Sequence, residues 1–248
     1  MYDLATRRHA LALLDDGRSL NSVSKETGIS RAAIRSWLTR IEPLPRLNQS
    51  APCSRPADGT SYAYLLGLYL GVGCISEHPR GGHHLRIFCD NGWPGLIEQC
   101  RAAILSVRPT DKVYVLQRQG CVAVTSSGRH WTCLFPQHAP GKKHDRRIAL
   151  EPWQQEIVDA HPWEFIRGLI HSDGCRITNW TVRNGKRYEY PRYFFTNKSD
   201  DIRKLCTDTL AKVGVQWTIL ARGSGPLNVS IARKESVALM DAHVGPKY

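Results

Sequence analysis

The feature that most constrains the fold of this 248-residue chain is an internal repeat. Residues 64–75 read YLLGLYLGVGCI and residues 165–177 read FIRGLIHSDGCRI. The two segments share a Gly-Leu pair, a small residue and a Gly-Cys pair, with Gly67 and Gly168 101 positions apart. Each segment is shorter than the roughly 20 apolar residues that cross a bilayer. The repeat predicts two equivalent halves, each beginning with an apolar helix.

The segments that follow the two copies also correspond. After the second copy, a hairpin with Asn184-Gly185 at its tip precedes a helix starting at Ser199, a second hairpin and a last helix near 233–243. After the first copy, strands flank Arg80-Gly81-Gly82, and a helix and another hairpin follow. The sequence therefore predicts an α+β fold of two αββαββα halves. We assign these halves to residues 61–150 and 151–248.

The N-terminal residues predict a helix-turn-helix unit over 1–41. In LNSVSKETGISRAAIRSWL, residues 20–38, Gly28 makes the turn and Ser30 is a good N-cap for the second helix. Apolar residues occupy the positions that such a unit buries: Val23, Ile29, Ile34 and Trp37. This pattern places Arg31 and Arg35 where they would face a DNA major groove. The alternative is a generic three-helix packing unit.

Composition limits the class of partner. The chain carries 34 Lys and Arg against 22 Asp and Glu, a net charge of +12, which favours a polyanionic partner and nucleic acid first. Four prolines mark residues 42–60 as a linker. The N-terminus shows no signal-peptide pattern, and no cysteine pair has Cys-x-x-Cys spacing. We therefore expect a cytoplasmic protein with reduced, mostly buried cysteines.

The repeat resembles the two motifs of single-chain LAGLIDADG homing endonucleases. The match covers most of residues 61–248, and the N-terminal unit is similar to the helix-turn-helix that some actinobacterial proteins join to such a core. The resemblance implies a pseudo-twofold saddle preceded by a small all-α domain. It also implies a monomer that binds a long asymmetric site on double-stranded DNA, in the bacterial cytoplasm and associated with the nucleoid.

The resemblance explains the small residues of the repeat. In this family the two motif helices pack side by side, and small residues allow their close approach. The residues of this seam are Gly67 with Gly71, and Gly168 with Ser172. The residue before the last glycine then projects toward the DNA, and the family places an aspartate there in each half. Two carboxylates hold divalent ions beside the scissile phosphates, so Mg²⁺ or Mn²⁺ is the expected cofactor of an active enzyme, and an inactive one needs none.

The first half departs from this pattern. Asp173 and Lys198 match the metal-binding aspartate and the catalytic lysine of the family. In the first half, Val72 stands in the position of the aspartate, and Asn91 or its neighbour stands in the position of the lysine. Nearby carboxylates that could substitute are Glu77 and Asp90. We therefore expect a sequence-specific DNA-binding protein with one degenerate half-site and weak or lost cleavage. The alternative is an active Mg²⁺-dependent endonuclease, or a strand-nicking enzyme that uses Asp173.

Basic residues mark the expected DNA contacts. The hairpin 175–196 interleaves basic and aromatic residues and is the best candidate for reading bases, with a solvated basic hairpin as the alternative. Its counterpart, 75–89, is less basic, so the two DNA half-sites should differ. The loop 138–152 either contacts phosphates or is a solvated linker. The candidate DNA-binding residues are Arg31, Arg35, Arg80, Arg86, Lys142, Lys143, Arg176, Arg183, Lys186, Arg187 and Arg192.

Two further patterns carry weak signals. Cys133, His138 and His144 have a loose metal-ligand spacing, but a fourth zinc ligand is missing. His171-Ser172-Asp173 contains the residue types of a hydrolase triad, but consecutive helix residues point in different directions and cannot relay a proton. We expect His171 to be a half-buried packing residue.

Overall fold

The structure, a computed structural model, describes residues 2–42, 55–78, 81–221 and 227–248. The chain divides into two compact units, residues 1–52 and 53–248. Part of the expected linker and Arg80 lie outside the described residues. The last two positions of the expected linker, Gly59 and Thr60, are already helical.

The described residues of the first unit form three helices, α1 (Leu4–Asp15), α2 (Leu20–Thr27) and α3 (Arg31–Thr39). Gly28 ends α2 with a φ of 68°, a left-handed conformation that glycine adopts without steric cost. The Ser30 hydroxyl accepts a hydrogen bond from the Ala33 amide and caps α3, as the sequence predicts. The four apolar residues of the predicted inner face are buried and pack with Ala10 and Leu13 of α1.

The second unit repeats one order of elements twice. The first half contains α4 (Gly59–Val72), β1 (Gly73–Glu77), β2 (His83–Asp90), α5 (Pro94–Val107), β3 (Val113–Arg118), β4 (Cys121–Gly128) and α6 (Trp131–Leu134). The second half contains α7 (Pro152–Ala160), α8 (Pro162–Asp173), β5 (Gly174–Arg183), β6 (Lys186–Thr196), α9 (Asp200–Lys212), β7 (Thr218–Leu220), β8 (Asn228–Ile231) and α10 (Lys234–His243). Apart from the added helix α7, each half follows the predicted αββαββα order.

Each half forms one four-stranded antiparallel sheet, in the orders β1-β2-β4-β3 and β5-β6-β8-β7. Asn184 and Gly185 join β5 to β6 with φ angles of 50° and 73°, the positive values of the tight hairpin turn that the sequence predicts. Gly73 pairs with Ile87 and Gly174 pairs with Phe195, so the first residue after each motif helix has an equivalent partner.

One continuous apolar core lies between the helices and the inner faces of both sheets. The uncharged helix α4 forms its centre, since every residue from Tyr62 to Leu70 is buried. No helix of the described residues is long and apolar enough to cross a membrane.

The cysteines are more varied than the sequence predicts. Cys89, Cys100 and Cys206 are free and buried, while Cys74 and Cys175 are free and exposed. Cys133 is disulfide-bonded, so the expectation of uniformly reduced cysteines is wrong at that position.

Candidate functional site

The two motif helices α4 and α8 touch backbone to backbone. A Cβ atom added to Gly168 would lie 2.2 Å from the Tyr64 carbonyl oxygen, and one added to Gly67 would lie 2.6 Å from the Phe165 carbonyl oxygen. Real Cβ atoms do not approach other atoms this closely, so only glycine fits at either position. Gly67 and Gly168 therefore lie where the backbones of α4 and α8 meet, and this close approach brings the C-terminal ends of both helices together.

The part of the seam nearest the C-terminal ends of both helices positions Asp173, the motif carboxylate of the second half. A Cβ on Gly71 would meet the Ser172 hydroxyl oxygen at 2.2 Å and the Asp173 carboxyl carbon at 3.2 Å. The Ser172 hydroxyl donates to the Leu169 carbonyl at 2.8 Å within its own helix. Because Gly71 has no side chain, Asp173 lies directly against the end of α4.

Asn197 holds the Asp173 carboxylate. The Asn197 amide nitrogen donates to Asp173 Oδ2 at 2.7 Å, and the Asn197 amide oxygen accepts from the Ser199 backbone at 2.8 Å, which fixes the orientation of the amide. Burial raises the pKa of Asp173, while the Asn197 hydrogen bond and the charges of Lys143 and Lys247 oppose that rise. Sequence reasoning missed Asn197, although it directly precedes Lys198 in the chain.

Asp173 and Lys198 border one cleft of about 730 Å³ at the helix ends. Lys198 is exposed and follows directly after Asn197. The cleft is also bordered by β1 along its whole length, including Glu77 at its end, and by residues of the loop 138–146. The structure therefore brings Asp173 and Lys198 to the same surface, with an open approach for a ligand.

The corresponding position in the first half is apolar. Val72 is half-buried and packs against the core. Asn91 accepts a hydrogen bond from the Gln117 amide at 3.2 Å. The strand register places Asp90 at the position that corresponds to Lys198. Gly73 pairs with Ile87 as Gly174 pairs with Phe195, and Asp90 and Lys198 each follow three residues after that partner. Of the two positions that the sequence leaves open, the register therefore favours Asp90, the neighbour of Asn91.

Two lysines lie at the ends of the motif helices. The carbonyl oxygens near the Lys143 ammonium belong to Tyr69, Leu70 (3.1 Å), Gly71 (3.4 Å) and Gly73 (2.6 Å). The Lys247 ammonium donates to the Ser172 carbonyl at 3.0 Å. The sequence predicted Lys143 as a phosphate contact, but its ammonium is directed into the protein, whereas Lys142 is exposed on the same loop. Sequence reasoning missed Lys247.

The basic hairpin has two distinct faces. Residues paired across antiparallel strands share a face, so Arg183 lies with Lys186, and Arg192 lies with Ile177, on the side not covered by the helices. Arg176 pairs with the buried Tyr193 and lies on the opposite side. Arg176 makes two hydrogen bonds to the Asp241 carboxylate, at 2.7 and 2.9 Å.

Arg187 also lies on the face opposite to Lys186. Its guanidinium forms an ion pair with Glu189 at 3.0 Å and stacks over Trp180 at 5.1 Å. The strand alternation therefore divides the five predicted basic contacts. Arg183, Lys186 and Arg192 lie on the uncovered face, and Arg176 and Arg187 lie on the other.

The remaining predicted basic residues are placed separately. Arg86 is half-buried on β2 and hydrogen-bonds the Ser76 hydroxyl. In the first unit, Arg31 and Arg35 are exposed on α3.

The two weak patterns find little support. Among the described residues, no group of three or more His, Cys, Asp or Glu side chains is arranged to hold a metal ion. His171 is more buried than expected, with 3% of its surface exposed, and its Nδ1 lies 3.0 Å from the Tyr64 hydroxyl. Burial, together with the charges of Arg167 and Lys247, lowers the pKa of His171 to about 4.

No protein-family model and no curated protein matches the chain. Among solved structures, a variant of the homing endonuclease I-DmoI, in complex with its target DNA in the presence of Mg, matches with a TM-score of 0.50 and 15% identity. This match covers 75% of the present chain and 96% of the other. The N-terminal LAGLIDADG domain of DUF199/WhiA matches with a TM-score of 0.48 and 11% identity, over 80% of this chain and 86% of that domain.

The LAGLIDADG meganuclease I-AabMI, bound to uncleaved DNA, matches with a TM-score of 0.47 and 12% identity, over 73% and 83% of the two chains. The fold assignment rests on the I-DmoI match together with the element order, the two sheets and the glycine seam described above. The chain has the α+β saddle fold of the LAGLIDADG homing endonucleases.

Proposed function

We propose that this protein binds a long, asymmetric site on double-stranded DNA and cleaves it weakly or not at all. One observation carries the proposal: the paired ends of α4 and α8 present a single motif carboxylate, Asp173, opposite the apolar Val72. A fold that brings two helix ends together provides positions for two carboxylates, and this chain fills one.

The DNA part of the proposal is supported by charge and by fold. The net charge of +12 suits a polyanion, and the I-DmoI variant of the same fold is in complex with its target DNA. Arg183, Lys186 and Arg192 lie together on the uncovered face of a two-stranded ribbon, which has the dimensions to enter a major groove. Arg and Lys there can bind guanine edges.

The two sheets offer unequal surfaces to such a site. The uncovered face of the first sheet carries the basic Arg86, which is hydrogen-bonded to Ser76, the exposed Arg118 on β3 and the acidic Asp90 at the end of β2. The second sheet carries three basic residues on its ribbon. We therefore expect the two DNA half-sites to differ in sequence and in their share of the binding energy.

The first unit adds a second contact. The exposed Arg31 and Arg35 on α3 suit the major groove or phosphates, in the manner of a recognition helix. In this proposal the protein acts as a monomer in the bacterial cytoplasm, associated with the nucleoid, and the two halves of its second unit take the place of two subunits.

The residues at the end of α8 fit a divalent metal ion better than those at the end of α4. Mg²⁺ keeps several waters and takes one or two protein carboxylates, and Asp173 supplies one at the border of an open cleft. When bound, Mg²⁺ or Mn²⁺ would stabilise the charge that develops on a reacting phosphate. Asp173 would hold the ion, Asn197 would orient Asp173, and Lys198 would contact the phosphate. Val72 supplies no oxygen ligand.

A second candidate function is nicking of one DNA strand. The placement of Asp173 and Lys198 on one cleft favours it, because these two residues form a complete half-site by themselves. Under this alternative the protein is a Mg²⁺- or Mn²⁺-dependent endonuclease with one active half-site.

The test begins with selection of a bound sequence from random duplexes, followed by footprinting. We expect log K to fall steeply with log salt, by about 0.9 for each neutralised phosphate. A salt-independent affinity would remove the nucleic-acid proposal.

The bound site, placed in a supercoiled plasmid with Mg²⁺ or Mn²⁺, then separates the two functions. Little or no conversion to nicked or linear DNA is expected. Metal-dependent nicking that Asp173→Asn abolishes would support the second candidate, and rapid double-strand cutting would contradict the degenerate half-site.

A further inference from the structure

A fixed positive charge stands at the C-terminal end of each motif helix. The Lys143 ammonium lies among four carbonyl oxygens at the end of α4, and the Lys247 ammonium binds the Ser172 carbonyl at the end of α8. The last carbonyls of a helix lack intrahelical partners and form the negative end of its dipole. Each ammonium therefore satisfies and neutralises a helix end that a cation would otherwise approach.

The loop that carries Lys143 is fastened on both sides. The Arg146 guanidinium donates to the Gly141 carbonyl at 2.8 Å and to the Gln137 carbonyl at 3.1 Å. The Ile148 amide donates to the Asp201 carboxylate at 2.7 Å, which joins the loop to the second half. Because the loop is held in this way, Lys143 reaches the helix end from a defined position and not as a free surface side chain.

Lys247 is fastened by the residue that follows it. The Leu96 amide donates to the Tyr248 carbonyl at 3.2 Å, and the Gln99 amide donates to the Tyr248 hydroxyl at 2.5 Å. A Cβ on Gly95 would lie 2.1 Å from the Tyr248 ring, so the ring packs directly on α5. The segment after α10 thus crosses to the first half and holds Lys247 at the seam.

Both ammonium groups act on Asp173. Each favours the ionised carboxylate. Burial lowers the pKa of Lys143 to about 8 and also lowers the pKa of Lys247, and the charge of Asp173 opposes both shifts. Lys247 also interacts with the charge of Asp90, the residue that replaces the catalytic lysine in the first half. The helix ends therefore contain two cations and one half-buried carboxylate, and each cation interacts electrostatically with the carboxylate.

We propose that the Lys143 and Lys247 ammonium groups supply the charge neutralisation that divalent ions would provide at these helix ends. Resting on the proposed function, this means that the protein binds DNA without a divalent ion. It also means that the Lys143 ammonium weakens the affinity of Asp173 for a divalent ion. The carbonyl oxygens that could bind an ion already accept hydrogen bonds from the two ammonium groups, and the positive charge of these groups repels a further cation.

The first experiment uses the unaltered full-length chain, without DNA, titrated with Mn²⁺ and followed by the electron paramagnetic resonance signal of the free ion. We expect no saturable site at micromolar Mn²⁺. A single site of that affinity in the unaltered chain, lost in Asp173→Asn, would overturn the inference without requiring any lysine variant to fold.

The second experiment removes the ammonium. Lys143→Met keeps the aliphatic side chain, and we expect it to raise Mn²⁺ affinity by about tenfold or more because a competing charge is gone. The added site should disappear in the double variant with Asp173→Asn. Lys142→Met, on the exposed neighbour of the same loop, removes an equal charge and should leave Mn²⁺ binding unchanged. A folded Lys143→Met chain with unaltered Mn²⁺ affinity would contradict the inference.

A third measurement separates this inference from the proposed function. DNA affinity should agree within about twofold in Mg²⁺ and in EDTA at matched ionic strength. A requirement for Mg²⁺ would contradict the inference and leave DNA binding intact. Failure to bind DNA in both buffers would contradict the proposed function, while the Mn²⁺ titrations of the free chain would still decide the role of Lys143.

Discussion

The two halves of the saddle share a backbone and differ in the chemistry at its centre. At the end of α8, the side chains are Asp173, Asn197 and Lys198. The strand register aligns these with Val72, Cys89 and Asp90. Asn197 holds a carboxylate, whereas Cys89 is buried in the apolar core with 2% of its surface exposed. The two halves therefore differ at all three positions of the half-site and not only at the motif carboxylate.

This comparison separates what the fold requires from what the chemistry requires. The seam positions Gly67 and Gly168 are restricted in both halves, because any Cβ would meet backbone atoms. The residue at the helix end is not restricted in this way, since Val72 and Asp173 occupy equivalent positions on the same scaffold. A saddle of this kind can hold its shape with or without the groups that hold a metal ion.

The largest expected effect comes from breaking the seam that the halves share. Gly168→Ala places a Cβ 2.2 Å from the Tyr64 carbonyl, so the helices must separate, and we expect a loss of about 4 kcal/mol or more in the free energy of unfolding. Gly59→Ala in α4 is the control, because its Cβ would meet His161 at 3.4 Å, an ordinary contact. Urea unfolding compares the two variants. Equal stability of both would show that the seam is looser than described.

The second expected effect is a pH dependence of the free energy of unfolding that comes from the second half. His171 is aligned with Leu70 of the first half, and burial lowers its pKa to about 4 from 6.5. Since the unfolded chain takes up the proton first, stability should fall as pH drops from 6.5 toward 4. The loss approaches about 3 kcal/mol for a shift of this size.

The control for this pH effect replaces His171 by leucine, the residue at the aligned position of the first half. His171→Leu should retain its stability better than the unaltered chain over the same pH interval, as measured by urea midpoints at several pH values. Parallel pH dependence of the two chains would contradict the assignment of a neutral, buried His171.

A third, smaller effect tests the faces of the hairpin. Lys186→Ala should weaken DNA binding by about tenfold and reduce the salt slope by about 0.9, because one phosphate contact is lost. Arg187→Ala is the matched control, since Arg187 is the next residue, is also exposed, and lies on the opposite face in an ion pair with Glu189. Equal effects of the two changes in a binding titration would show that the strand alternation does not define the DNA-facing side.

The smallest effect is expected from rebuilding the first half-site. The triple variant Val72→Asp, Cys89→Asn and Asp90→Lys copies the residues of the second half. We expect a rise in plasmid nicking of about tenfold or less, equivalent to about 1.4 kcal/mol, because Lys247 still stands beside this position. Val72→Asp alone should produce no rise, since the supporting amide and lysine are missing. A full gain with the single change would show that only the carboxylate was lacking.

Much of the fold could be predicted from the sequence, because the repeat is a local pattern with steric meaning. The glycines of the seam, the Asn184-Gly185 turn and the caps at Ser30 and Ser199 each specify their own local geometry. The order of elements follows from these signals.

The candidate site was only partly predictable, because it depends on contacts between distant segments. Asp173 and Lys198 lie within a motif, but Lys143 and Lys247 reach the helix ends from a connecting loop and from the segment after α10. A basic residue in a loop is read from sequence as a surface charge, and only tertiary packing reveals that its ammonium points inward. The faces of Arg176 and Arg187 likewise depend on the strand register.

The direct contact of α4 with α8 also has a consequence for how the second unit unfolds. Backbone atoms of the two halves touch at Gly67 and Gly168, and one apolar core runs through both. Neither half can lose its motif helix without exposing the core of the other. The pair should therefore melt as one cooperative unit in calorimetry, with equal van't Hoff and calorimetric enthalpies, although its sequence is a repeat.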